Sequence, residues 1–281
     1  MGWRAIGASV RGASHARSDL PNQDALAWLP EDATGPVVVL AVADGHGSAK
    51  CFRSEVGARF AVEMAGRALD ELLAVGRLGS FDQLTEVAVE RLPHTVVRAW
   101  RTAVLSDLEE RPFTDTELAR LEELEGSEGV QEVGAFPALA YGSTVLVAAA
   151  GDEGVVLFQL GDGDILTVSG AGEVARPMPV DPRLAGNLTT SLAGATAHDD
   201  ARVRSLALDG SDLSLVILST DGYSNSFADD EGFLRVGPDL LDLIRSDGLD
   251  AVSSDLSGWL AEASALGSGD DVTVGLLVRS A

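Results

Sequence analysis

The chain is poor in positive charge, in lysine above all, and in cysteine, aromatic side chains and long apolar runs, and each shortage excludes something. Its one lysine is Lys50, and 20 Lys and Arg against 44 Asp and Glu leave a formal charge of −24. A surface that negative repels phosphate backbones, so nucleic acid is excluded as a partner. The single cysteine, Cys51, cannot form an internal disulfide and fits a reducing compartment. With no second thiol to resolve it, packing is its expected role. The longest apolar runs, Val37 to Ala43 and Val145 to Ala150, fall far short of the roughly 20 residues that span a bilayer. Met1-Gly2-Trp3-Arg4 leads straight into a strand-like segment, with no basic stretch ahead of an apolar one. Neither a secretion leader nor a membrane partner is expected, and the location expected is cytoplasmic.

What is present suffices for one large domain. The 281 residues are 46% apolar and 5% aromatic, nothing like a disordered composition. The acidic excess is larger than any single site could use, so most of it belongs to the surface. Arginine in place of lysine fits genomic base bias ahead of salt adaptation.

Trp3 to Val10, Ala25 to Leu29 and Val37 to Ala43 are short apolar or alternating segments bounded by Gly, Pro and Asn, which predicts strands. From Ser48 to Val75 the apolar residues Phe52, Val56, Phe60, Met64 and Leu69 recur near helical spacing. A second helix is predicted from Phe81 to about Leu108, with Pro93 as a kink point. Residues 109–134 are acidic and polar, which predicts a mobile insertion, a loop carrying a short helix. Strand patterns return at Tyr141 to Ala150, Val155 to Leu160, Ile165 to Val168, Val203 to Leu208 and Leu213 to Ser219. Helical patterns follow at Pro238 to Ser246 and Ala251 to Leu266, and a last strand at Val272 to Val278. This order predicts an α+β fold of two packed antiparallel sheets with helices outside, not a βαβ repeat.

Short acidic motifs sit at the ends of these runs: Gln23-Asp24, Asp44-Gly45-His46-Gly47, Asp221-Gly222 and Asp270-Asp271. Carboxylates collected at strand ends repel one another unless cations or protons neutralise them. A binuclear site for hard divalent metals is the expected meaning. Taken singly, each Asp-Gly is ordinary turn chemistry, and the ordered set is what points to a site. Asp162-Gly163-Asp164 is not a calcium loop, because Thr167 stands where the EF-hand needs glycine. His94 and His198 lack ligand spacing and are expected at the surface or in packing, as Trp3, Trp28, Trp100 and Trp259 are expected in packing.

Together with Pro21-Asn22-Gln23-Asp24, Tyr141-Gly142-Ser143-Thr144, Gly161-Asp162-Gly163-Asp164 and Ser219-Thr220-Asp221-Gly222, the chain resembles the metal-dependent serine/threonine protein phosphatases of type 2C over nearly its whole length. The resemblance implies one domain over residues 1–281, built as a four-layer α-β-β-α sandwich. It implies two Mg²⁺ or Mn²⁺ ions, with a third in question, and hydrolysis of phosphoserine or phosphothreonine by a metal-bridging water. Carried over, Asp44 bridges the metals, Gly45 offers its carbonyl, Asp221 and Asp270 complete a shell, and Asp162 serves a third, weaker ion with Asp221. Asp24 and Gln23 lie one step outside the metals, and His46 is the general acid. Oxygen-only donors and a phosphate substrate agree with Mg²⁺ or Mn²⁺ over Zn²⁺.

Two positions depart from the family pattern. Gln23 replaces a glutamate, and Asp19 stands where a phosphate-binding arginine usually precedes the acidic pair. His15 is favoured as the phosphate contact, with Arg17 second, and a structural hydrogen bond is the other reading of His15. Asp271 replaces an asparagine, and spacing to Thr273 favours Asp270 over it as ligand. The expected function is a phosphoprotein phosphatase, acting as a monomer and opposite a cognate Ser/Thr kinase. The alternative is a weak or inactive regulator that keeps the fold and binds a phosphoprotein or kinase partner.

Overall fold

The computed structural model describes residues 2–76, 80–179, 181–184 and 189–280. Its strands are β1 (Trp3–Val10), β2 (Ala25–Leu29), β3 (Thr34–Gly35), β4 (Val38–Ala43), β5 (Val145–Ala150), β6 (Gly154–Leu160), β7 (Asp164–Ser169), β8 (Val174–Ala175), β9 (Arg202–Ala207), β10 (Leu213–Ser219) and β11 (Val272–Arg279). Its helices are α1 (Ala13–Ser18), α2 (Ser54–Gly76), α3 (Phe81–Glu110), α4 (Asp115–Ala135), α5 (Ala197–Asp200), α6 (Asp221–Ser224), α7 (Asp230–Leu234), α8 (Val236–Asp247) and α9 (Leu249–Leu266). The strands form two sheets, ordered β3-β1-β11-β10-β7-β8 and β2-β4-β5-β6-β9. The pairings are antiparallel.

Three apolar clusters define the layers. One lies between α2, α3 and the five-stranded sheet, a second between the two sheets, and a third between the six-stranded sheet and α8 with α9. This is the predicted four-layer α-β-β-α sandwich. β4 lies within it and is at most 1% exposed at every residue, so its unbroken Val and Leu run meets apolar partners on both faces. Burial of each such Val or Leu side chain is worth about 1.5–3 kcal/mol.

Strand register puts the acidic motifs at one end. Ala43 pairs with Ala25, so Asp44 and Asp24 leave neighbouring strands of one sheet side by side. In the other sheet Ser219 pairs with both Val274 and Asp164, bringing Asp221 beside the Asp270-Asp271 turn and the Gly161–Gly163 link. That link, between β6 and β7, is one of those where the chain passes from one sheet to the other.

Several boundaries differ from those predicted. The first long helix begins at Ser54, after a short 3₁₀ turn at Ala49–Cys51, because the chain between Asp44 and Arg53 is spent on the site loop. β5 begins at Val145, and 141–144 is a turn bound to that loop. α3 runs through Pro93 without interruption. The loop predicted within 109–134 is instead mostly the helix α4. A capping box starts it: Glu117 N–H donates to Thr114 Oγ1 (3.2 Å) and Thr114 N–H to Glu117 Oε2 (2.7 Å). Leu121 and Val133 bury it in the apolar cluster beneath the turns at Ala49–Cys51 and Pro137–Tyr141, while Gly126, at φ 71° and ψ −177°, kinks it. Polar composition hid a helix whose apolar face is narrow. No helix among the described residues is long and apolar enough to cross a membrane.

Candidate active site

The end of β4 is held by the 141–144 turn. Asp44 N–H donates to Thr144 Oγ1 (3.0 Å), and the Asp44 carbonyl accepts from Thr144 N–H (2.8 Å) and Ser143 Oγ–H (2.9 Å). His46 N–H donates to Gly142 O (3.0 Å), and Gly45 N–H to Gln23 O (3.2 Å). Gly45 is needed for closeness: a Cβ there would lie 2.7 Å from Gln23 O and 2.8 Å from Ser54 O. The loop's main chain is thus held without any use of the Asp44 or His46 side chain.

Asp24 is buried, and its Oδ2 accepts from Thr220 Oγ1–H at 2.8 Å, across the interface between the sheets. Asp271 is buried too, and both its oxygens are committed. They accept from Gly12 N–H (2.6 Å), Gln23 N–H (2.7 Å) and His15 Nδ1–H (2.9 Å), which binds the N-terminal loop to the start of β11. Asp270 is half exposed; its Oδ1 accepts from Asp271 N–H (2.9 Å) and lies 3.5 Å from His15 Nε2. The geometry therefore leaves Asp270, not Asp271, with oxygens to give. Gly222 packs against this turn so closely that a Cβ would sit 2.0 Å from Asp271 O.

Burial raises the acids, and neighbouring charges add to it. Burial first, helped by the charges of Asp271 and Asp270 and opposed by hydrogen bonds from Thr273 and Thr220, pushes Asp24 up to about 8. Burial first, and then the charges of Asp24 and Asp221, hold Asp44 well above the carboxylate range. Asp221 is raised by burial and by Asp162, and a hydrogen bond with Asp44 opposes the rise. A set of carboxylates this expensive to ionise takes up either protons or cations.

His46 is pushed down by burial, against the charge of Asp162, and its Nε2 is buried without a hydrogen-bond partner. Asp162 also accepts from Thr189 Oγ1–H at 2.8 Å. Gln23 Nε2–H donates to Ser54 Oγ (2.7 Å), which leaves Gln23 Oε1 buried and without a partner. His15 is set between two carboxylates rather than toward open solvent. Arg17 lies exposed on α1 and makes no ion pair among the described residues, so the structure does not bring it to the acids. Asp19 caps α1 at φ 56° with its side chain fully exposed.

A family model described as protein phosphatase 2C matches residues 11–261. The chain belongs to the protein phosphatase 2C family. No curated protein matches the chain. Among solved structures, a C. elegans sex-determining protein is 18% identical with a TM-score of 0.57, over 99% of this chain and 65% of that one. The chain therefore spans just under two thirds of that protein's length. The catalytic domain of the serine/threonine protein phosphatase PstP, in complex with two manganese ions, is 18% identical over 99% of this chain and 98% of that one, with a TM-score of 0.53. The serine/threonine phosphatase Stp1 of Staphylococcus aureus is 14% identical over 99% and 95%, with a TM-score of 0.60. At such identities the likeness is one of fold.

The donors of this phosphatase-family site suit a hard divalent cation in kind. They are carboxylates, main-chain carbonyls and one buried amide oxygen, Gln23 Oε1, that lacks any partner. Among the described residues no three His, Cys, Asp or Glu side chains form a ready-made cage, so a cation would draw on carbonyls and water as well. The supports of the site were absent from the prediction: Thr220 and Ser54 stand behind Asp24 and Gln23, and Ser143 and Thr144 behind Asp44. The Tyr141-Gly142-Ser143-Thr144 and Ser219-Thr220-Asp221-Gly222 motifs were the signals of them, and Ser54 had none. Cys51 is buried near Gly142, and burial pushes its thiol up, in line with a packing role. His94 and His198, 104 positions apart, meet with ring centroids 4.2 Å apart, well away from ligand duty.

Proposed function

We propose that the chain is a metal-dependent phosphatase that hydrolyses phosphoserine and phosphothreonine in proteins. The observation that carries this reading is the group of acids raised first by burial and then by neighbouring carboxylates, Asp24, Asp44 and Asp221, beside Asp270, at the joint of the two sheets in a protein phosphatase 2C chain. Asp44, Asp221, Asp270 and the Gly45 carbonyl would hold two Mg²⁺ or Mn²⁺ ions. Asp162 would share a third with Asp221, and Asp24 and Gln23 Oε1 would accept hydrogen bonds from water held by the metals. When bound, such ions supply a water acidified toward neutrality and a clamp on the phosphoryl oxygens. His46 is neutral near pH 7 when alone, and a phosphate dianion beside it favours its protonated form. Its Nε2 then holds the proton that the departing serine or threonine oxygen needs. His15, between Asp270 and Asp271, would orient these acids and present its outer edge to phosphate, with Arg17 the second candidate.

The same reading takes residues 1–281 as one domain, acting as a monomer in the cytoplasm on the products of a Ser/Thr kinase. A second reading, a phosphatase-fold regulator that binds phosphoproteins or a kinase without turnover, is favoured by Asp19 in the arginine position and by Gln23. Release of p-nitrophenolate from p-nitrophenyl phosphate with Mn²⁺, abolished in Asp44→Asn and Asp221→Asn, separates the two. Full activity in those variants would sink the mechanism, and manganese binding without any phosphate release would favour the regulator.

A further inference from the structure

Arg53 lies outside the acidic group, yet it is the most completely bonded side chain near it. All five of its N–H donors are used. Nε donates to Glu117 Oε1 (2.7 Å) and Nη2 to Glu117 Oε2 (2.9 Å) and Pro112 O (3.0 Å). Nη1 donates to Tyr141 Oη (2.8 Å) and Arg111 O (2.6 Å). Its guanidinium carbon lies 4.9 Å from the centroid of the Phe113 ring. Its own main-chain N–H donates to Ala140 O (2.7 Å), and the next residue, Ser54, holds the Gln23 amide.

Tyr141 is fully buried, and its hydroxyl, which accepts from Arg53, donates to Asp107 Oδ2 at 2.8 Å. Its main chain is pressed on Gly57, where a Cβ would fall 1.8 Å from Tyr141 O, and Gly57 O is held by Trp100 Nε1–H at 2.9 Å. The residues that follow, Gly142 to Thr144, carry the hydrogen bonds that set Asp44 and His46, on either side of Gly45. We propose that Arg53 is a positioning residue of the candidate active site, fixing Tyr141 and, through the 140–144 turn, the main chain from Asp44 to His46. Its catalytic consequence rests on the phosphatase reading; its structural consequence does not. A partly buried charge bonded this way is weak evidence for stability and stronger evidence for a specified geometry. Lysine, with three donors on a point charge, does not reproduce the planar fork. The inference also gives α4 a role, since Glu117 ties that helix to the site loop.

The test compares Arg53→Lys and Tyr141→Phe with Leu256→Ala, a cavity variant in the core under α9. Amide hydrogen exchange of the metal-free protein should quicken at His46 and Thr144 on the order of ten- to a hundred-fold in the first two, while β10 and β11 keep their protection. Leu256→Ala should lose protection without that local pattern. With Mn²⁺ and p-nitrophenyl phosphate, kcat should fall on the order of ten- to a hundred-fold with KM little changed, and the double variant should be no worse than either single one. Unchanged exchange at His46 and Thr144, or the same pattern in Leu256→Ala, would overturn the proposal. Should Arg53→Lys fail to fold, Tyr141→Phe, which removes one hydroxyl, carries the test. If the wild type releases no phosphate while the exchange pattern holds, the phosphatase reading falls and the positioning role stands.

Discussion

Replacing Asp24 by asparagine should stabilise the metal-free protein, and only above the acid range. An unfolded aspartate titrates near 3.8, and Asp24 in the fold near 8. Between those values the folded chain keeps a proton that the unfolded chain has released, so stability falls as pH rises, by about 1.4 kcal/mol per pH unit. Below 3.8 both states are protonated and nothing is lost; above about 8 both are ionised and the loss levels off. By pH 7 the accumulated loss is about 4 kcal/mol on that slope. Asparagine carries no charge to desolvate and still accepts from Thr220, so Asp24→Asn should recover about 3–4 kcal/mol at pH 7. At roughly 2–4 °C per kcal/mol for a chain of this size, that is a rise in Tm of about 6–16 °C. Thermal unfolding in a chelator at pH 4, 7 and 8.5 reads it directly. The gain should vanish at pH 4, and millimolar Mn²⁺ should erase it by neutralising the wild-type carboxylate. Equal stability of the two proteins at pH 7 and 8.5 would refute the claim that the fold raises Asp24 far above an ordinary carboxylate.

His46→Gln should cost kcat on the order of 10²–10⁴ with a phosphothreonine peptide, whose alkoxide needs a proton, and far less with p-nitrophenyl phosphate; equal losses on both would remove His46 as the acid. Asp271→Ala deletes the acceptor of Gly12 N–H, Gln23 N–H and His15 Nδ1–H, and should lower stability by about 3–5 kcal/mol in urea unfolding. Retained stability there would show that the N-terminal loop is held by other contacts. Gly222→Ala places a methyl 2.0 Å from Asp271 O, so manganese affinity measured by calorimetry should drop by about tenfold or more as the Asp221 turn is displaced; an unchanged affinity would mean that the turn yields freely.

Much of the fold was legible in the sequence because apolar period is a local property. Val38–Ala43, Val145–Ala150 and Leu213–Ser219 are buried on both faces and read as continuous apolar runs, while α2 repeats its apolar residues at helical spacing. What escaped was narrow or short. α4 shows little apolar face, and its start signal, Thr114 with Glu117 three residues on, lay inside an acidic stretch. α1 is a six-residue helix with no buried residue.

Sequence alone carried the list of acids, because each stands within two residues of a strand end. It did not carry their division of labour. Asp270 and Asp271 are adjacent in the chain, and it is packing that spends the oxygens of one on Gly12, Gln23 and His15 and leaves the other half exposed. Asp24 and Thr220 are separated by 196 positions, and only the stacking of two sheets places a hydroxyl against that carboxylate. Arg53 likewise looks like one more surface charge on a helix until Glu117, Tyr141 and two carbonyls close around its five donors. Strand ends are encoded locally; the burial that raises an acid, and the partners that restrain or position it, come from residues far apart in the chain.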